Sequence, residues 1–183
     1  MTEQVILVDQ NDMELGAMPK REAHLLGKLH RAFSIFVFNT EGQLLLQQRA
    51  HKKYHSGNKW TNTCCSHPRL GEEITKAAHR RLTEEMGMSC ELIHVFNFTY
   101  FAEIEEGIYE HEFDHVFFGI SDAKPIPNPE EVSLYRYISM EELAQELDRQ
   151  PENYTKWLKI CFRKVMEVYK CNVLLLWVIG YLV

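Results

Sequence analysis

The chain lacks a Cys-x-x-Cys pair, so its five cysteines (Cys64, Cys65, Cys90, Cys161 and Cys171) do not suggest a cysteine-rich structural zinc site. It also lacks a basic-then-apolar leader after Met1, so nothing directs it to secretion. An odd number of cysteines without a leader indicates a reduced, cytoplasmic protein and not a disulfide framework. Excess positive charge is missing as well: 20 Lys and Arg stand against 26 Asp and Glu, a net charge of −6. Nucleic-acid affinity depends on neutralising phosphates, so a nucleic-acid partner is not expected, although a few local cations suffice for a small anion. The apolar run at 171–183, CNVLLLWVIGYLV, is shorter than the about 20 residues a membrane span requires. It reads as a terminal helix or strand docked on the core, and no function is assigned to it. There is no internal repeat, low-complexity stretch or linker. What remains is one domain over residues 1–170 with an apolar tail at 171–183, expected to be a monomer of ordinary globular composition.

Local patterns order the elements. Residues 5–9 form an apolar run closed by Gln10-Asn11-Asp12, a strand and turn. Residues 32–38 are aromatic and β-branched, Asn39-Thr40-Glu41-Gly42 is a turn, and 43–49 follows, which predicts a β-hairpin. Ile74, Ala77, Ala78, Leu82 and Met86 recur at helical spacing, with Gly87 placed for a left-handed C-cap. Strands are expected at 92–101 and 112–120 around the loop at Glu106-Gly107, and at 134–138 after Pro125, Pro127 and Pro129. Ser139 and Glu142 form a capping box for a helix through Leu147, and a last helix covers 155–169. The fold class is therefore α/β in the α+β sense: a mixed β-sheet with flanking helices.

Two groups of residues carry chemistry. On the helix at 74–86, Arg80 faces Glu84 and Arg81 faces Glu85 at i, i+4, which taken alone describes a solvated face of weak ion pairs. The longer pattern Glu72, Arg80, Leu82, Glu84-Glu85, Gly87 resembles the Nudix box, whose helix carboxylates hold magnesium on a diphosphate. Ser66 replaces the opening Gly of that box, and Arg81 stands where a catalytic Glu follows the Arg. Hydrolysis of the diphosphate is therefore the property this departure puts in question.

The second group is scattered: His24, His30, His67, Glu110 and Glu112. In a strand Glu110 and Glu112 share a face, as do Cys65 and His67, which leaves Cys64 on the opposite side. His51, His55, His79, His94, His111 and His115 are read as ordinary surface or hydrogen-bonded histidines.

Leu29-His30-Arg31-Ala32-Phe33-Ser34, Trp60-Thr61-Asn62-Thr63-Cys64-Cys65-Ser66-His67-Pro68 and Glu110-His111-Glu112 together resemble the type 1 isopentenyl-diphosphate isomerases. The resemblance runs over about residues 5–169. It implies that His24, His30, His67, Glu110 and Glu112 bind one divalent metal (manganese, zinc or magnesium), and that Glu85 helps hold a magnesium on the substrate diphosphate. It places Cys65 and Glu112 against the carbon skeleton with Tyr100 beside them. Lys20, Arg49 and Lys53 match phosphate-contacting positions, and Trp157 matches an aromatic that closes the pocket.

The chemistry suits these residue types. Moving a double bond from isopentenyl to dimethylallyl diphosphate adds a proton at one carbon and removes one from another. A thiol, with its ordinary pKa of about 8.5, is mostly protonated at neutral pH and serves as one proton-transfer group. A carboxyl on the other side serves as the second. Trp60 and Trp157 are candidates to cover developing positive charge, worth roughly 0.5 to 2 kcal/mol. The rival expectation is a Nudix hydrolase of a nucleotide or coenzyme diphosphate.

Overall fold

A computed structural model describes residues 3–180 of the chain, the side chains only up to residue 171. Its organising pair is β3 (His30–Phe38) and β8 (Ile108–Ile120), parallel and in continuous register from His30 opposite Glu112 to Phe38 opposite Ile120. Both strands are apolar on both faces along much of their length, which marks strands covered on two sides. On one face, Phe33, Ile35, Val37 and Phe117 pack against Ala77, Ala78, Leu82 and Met86 of α2 (Ile74–Met86). On the other, Phe36, Phe38, Val116 and Phe118 pack against α3 (Met140–Arg149) and α4 (Lys156–Gly180) through Leu143, Leu158, Cys161 and Val165. Towards the N-terminal ends of β3 and β8 that second face turns polar, with His30, Ser34, Glu110, Glu112 and Asp114 all buried.

The remaining strands complete a mixed sheet. β1 (Gln4–Val8) and β2 (Glu14–Pro19) form an antiparallel pair, and Leu7 meets His30. β4 (Leu44–Arg49) lies between β5 (Trp60–Thr61) and β9 (Val132–Ile138), and β7 (Leu92–Glu105) pairs antiparallel with β8. The short β6 (Cys64–Ser66) pairs with β3 so that Cys65 faces Ser34 and Cys64 faces Ile35. This register sends the two cysteines to opposite sides: Cys64 is fully buried in the α2 core, and Cys65 joins the polar face.

Several expectations need adjustment. The turn at Asn39-Thr40-Glu41-Gly42 forms, but its strands share only the pair Phe38–Leu44. Beyond that point β6 occupies the edge of β3, and β4 pairs along its length with β9 instead. The β7 and β8 strands are longer than expected, so that Glu110 lies within the ladder opposite Ala102. β2 and the seven-residue helix α1 (Lys20–Leu26) had no counterpart in the sequence reading. Only Ala23 and His24 of α1 are buried, too few to produce a periodic pattern. The Ser139 capping box forms with both of its hydrogen bonds. Helix α4 continues from the expected 155–169 through Gly180, and the docking expected of the tail lies outside the described residues. Among the described residues no helix is long and apolar enough to cross a membrane.

Gly87 ends α2 with φ of 61°, and a β-carbon there would run into the backbone carbonyl of Ile126. Gly71 has φ of 72° but open space around it. Gly71→Ala should therefore cost about 1–2 kcal/mol, the left-handed penalty alone. Gly87→Ala should cost clearly more, because the chain at Ile126 must also move. Urea unfolding of the two variants measures the difference; equal losses would contradict the packing described.

Candidate active site

Five segments meet at the polar end of the β3–β8 face. α1 supplies His24, β3 supplies His30, the turn after β6 supplies His67, and β8 supplies Glu110 and Glu112. The loop between β4 and β5 adds His55. One ligand atom each from His24, His30, His67 and Glu110 falls within 4.8 Å of the others. Glu110 Oε2 lies 3.5 Å from His24 Nε2 and 3.9 Å from His30 Nε2. These separations are too long for hydrogen bonds. All three atoms are buried and have no hydrogen-bond partner.

Two ligands on one ion with bonds of about 2.1 Å stand roughly 3 to 3.5 Å apart, so the arrangement suits a shared divalent cation. The donor set of imidazole nitrogens and carboxylate oxygen passes that test. His30 Nδ1 is held by the Lys28 carbonyl at 2.8 Å, which leaves its Nε2 lone pair free. His24 Nδ1 meets the Tyr54 hydroxyl. Burial, with the neighbouring His67 and His30, pushes His24 down to about 2. Burial and His67 likewise push His30 to about 4, so both rings are neutral at pH 7.

Glu112 sits at the edge of this group, its Oε1 3.0 Å from His67 Nε2 and 3.7 Å from His30 Nε2. The Tyr100 hydroxyl donates to its other oxygen at 2.7 Å, a contact set by the Tyr100–Glu112 pair in the ladder. Burial acts to raise Glu112, but its bond to His67, the nearby imidazoles and Tyr100 outweigh this and hold it below the usual carboxylate range. Burial and the adjacent Glu112 push Glu110 up instead. The two carboxyls are thus pushed in opposite directions.

A cavity of about 320 Å³ opens from this cluster. Cys65, Tyr100, Glu112 and Trp157 line it together with His55 and His67. Burial pushes the Cys65 thiol up to about 12, so it carries its proton at neutral pH. Lys20, Arg49, Lys53, Arg81 and Glu85 line the same space. The Arg49 guanidinium lies 5.1 Å from the Trp157 ring, joining the two regions. The expected ion pairs on α2 exist, Arg80–Glu84 at 3.0 Å and Arg81–Glu85 at 2.6 Å. The solvated-face description fails for the second pair, since Glu85 is buried and also accepts from Gln47 at 3.0 Å.

Two assignments change. Trp60 does not line the cavity: it packs on the core beneath α4, with the Arg136 guanidinium 4.7 Å from its ring. Its place on β5, which pairs with β4, directs it there. His55, read as an ordinary histidine, is buried with Nε2 3.4 Å from Glu110 Oε1. Nothing in its local sequence signals this, because a loop brings it in. His111, between the two glutamates, points away to the Gly27 carbonyl at 2.9 Å, as strand alternation requires.

Comparison with known proteins identifies first the class and then the family. The NUDIX domain family matches residues 28–158. The crystal structure of DR0079 from Deinococcus radiodurans superposes with a TM-score of 0.75 at 21% identity, over 88% of this chain and 98% of that one. The MutT protein from Methanosarcina mazei Go1 gives 0.62 at 17% identity, over 74% and 91%. At such identities the likeness is one of fold. An isopentenyl-diphosphate Delta-isomerase from Pectobacterium atrosepticum is 50% identical over 167 residues, 91% of this chain and 93% of its own length. Isopentenyl-diphosphate Delta-isomerase 2 from Aromatoleum aromaticum is 49% identical over 172 residues, 94% and 91% of the two chains. The chain belongs to the isopentenyl-diphosphate Delta-isomerase family, built on a NUDIX domain.

His67→Ala and His30→Ala should each lower metal bound to the purified protein, whereas His111→Ala should not. Elemental analysis after equilibration with a limiting divalent ion makes the comparison; unchanged content in both ligand variants would contradict a shared site.

Proposed function

We propose that this chain interconverts isopentenyl and dimethylallyl diphosphate, adding a proton at the terminal alkene carbon and removing one from the carbon nearer the diphosphate. The observation that carries this reading is Cys65 and the Tyr100-bonded Glu112 lining one cavity with the cationic side chains. A thiol that keeps its proton at neutral pH and a carboxylate held in its charged form are a donor and an acceptor in place. Between them they move the proton on and off the allylic unit, with tertiary carbocation character developing at the branched carbon. Tyr100 orients Glu112 through its hydroxyl. The Trp157 ring shields the carbon skeleton from water, which would otherwise trap the cation as an alcohol.

His24, His30, His67, Glu110 and Glu112 hold one divalent ion, which is manganese, zinc or magnesium given nitrogen and oxygen donors. When bound, that ion supplies positive charge that keeps the Glu112 carboxylate in place and lowers its proton affinity. Glu85 holds a magnesium on the substrate diphosphate, and Lys20, Arg49 and Lys53 grip the phosphate oxygens. The reaction is that of a cytoplasmic enzyme acting on a small molecule. Arg81 speaks against the hydrolase alternative, since a guanidinium paired with Glu85 cannot replace a catalytic carboxylate.

Proton NMR of isopentenyl diphosphate in deuterated water should show the dimethylallyl product, with deuterium in the methyl group formed from the terminal alkene carbon, and no free phosphate. Release of phosphate without isomerisation would favour hydrolysis and overturn the assignment. Cys65→Ala and Glu112→Gln should each lower the rate at least about 1,000-fold, within the usual range of about 100- to 10,000-fold for a proton-transfer group. Cys64→Ala should keep activity, because Cys64 packs in the α2 core. An active Cys65→Ala beside an inactive Cys64→Ala would reverse the roles.

A further inference from the structure

The segment between β8 and β9 carries no residue that the proposed reaction uses, yet it sends Glu131 into the cavity wall. One oxygen of Glu131 accepts from Lys53, and the other lies 3.2 Å from Arg81 Nη2. Its backbone carbonyl accepts from Ala50 N at 2.9 Å, so the same residue also anchors the start of the loop that bears Lys53. The segment is fastened to the end of α2 as well, through Ile126 N to the Met86 carbonyl and Asn128 N to the Glu85 carbonyl, at 2.9 and 2.8 Å. Glu131 is thus the point where the Lys53 loop and the Arg81–Glu85 helix are tied together.

We infer that Glu131 is a positioning residue for diphosphate binding: it holds Lys53 and Arg81 side by side so that their free N–H groups face the cavity. This rests on the phosphate-gripping role proposed above for that wall. The inventory of donors allows it. A lysine ammonium has three N–H groups and an arginine guanidinium five; Arg81 gives three of its five to Glu84, Glu85 and Glu131, so donors are left over on each side chain. Like charges held together repel. Arg81 is also held by Glu84 and Glu85 on its own helix, but Glu131 is the carboxylate that bonds both Arg81 and Lys53. A carboxylate between them offsets that repulsion and fixes both orientations before any substrate arrives. The preparation lowers the ordering cost of binding.

The test is binding of magnesium pyrophosphate, measured by titration calorimetry on the full chain. Glu131→Gln keeps the shape and removes the charge; it should weaken binding about tenfold, the loss of one charge-assisted contact. Lys53→Met should weaken binding comparably. Adding Glu131→Gln to Lys53→Met should then cost clearly less than it does alone, since contacting residues are non-additive. In turnover of isopentenyl diphosphate the Glu131→Gln loss should lie in KM, with kcat changed by less than about threefold. Unchanged or tighter binding by Glu131→Gln would overturn the inference, making the carboxylate a competitor of phosphate. Full additivity with Lys53→Met, or a loss confined to kcat, would overturn it too. Pyrophosphate binding needs no turnover, so absence of isomerisation in the unsubstituted protein would bear on the proposed function alone.

Discussion

The parallel register of β3 against β8 is the constraint on which the rest depends. It sets His30 beside Glu112 and, through β6 on the other edge, Cys65 beside Ser34. Strand side chains alternate, so a slip of one residue would turn Glu110 and Glu112 to the α2 face and break the group. The register is secured by the apolar end of the same face, where Phe36, Phe38, Val116 and Phe118 pack under α3 and α4. A hydrophobic lock at one end of two strands thus sets the geometry of a polar cluster at the other. The cluster itself is costly: buried imidazoles and carboxyls without partners disfavour folding unless an ion satisfies them.

The cavity has two electrostatic poles. His24, His30, His67 and Glu110 form a group that suits a cation. Elsewhere on the wall, lysines and arginines are each matched with a carboxylate: Lys20 with Glu3, Lys53 with Glu131 and Arg81 with Glu85. Arg49 differs, bonded to the His55 carbonyl at 3.3 Å and lying over Trp157. The side chains of Cys65, Tyr100 and Trp157 line the same cavity. Such a site favours a short apolar body with a strongly anionic head.

The α2 helix shows how a fold is redirected by charge. Its Glu84 and Glu85 keep the positions at which related boxes hold a metal on a diphosphate, but Arg81 pairs with both, at 2.7 and 2.6 Å. A guanidinium in place of a carboxylate inverts the local sign. The helix face keeps two carboxylates and has one acidic group fewer with which to activate water. On the function proposed above, the chemistry lies away from this helix, in the Cys65–Glu112 region.

Much was legible from the chain alone. The α2 periodicity, its Gly87 cap, the Ser139 capping box and the order of the main strands are local properties, written in residues three or four apart or in alternation. The pairing of Glu110 with Glu112 on one face and the separation of Cys64 from Cys65 follow from strand geometry for the same reason. The tertiary structure decided what no spacing encodes. His55 enters from a loop, Glu131 from a proline-interrupted segment, and Trp60 is carried out of the cavity by its strand partner. Helix α1 was invisible because it buries only two residues, one of them the ligand candidate His24. Local sequence sets which way a side chain points from its own element; only packing sets what it meets there.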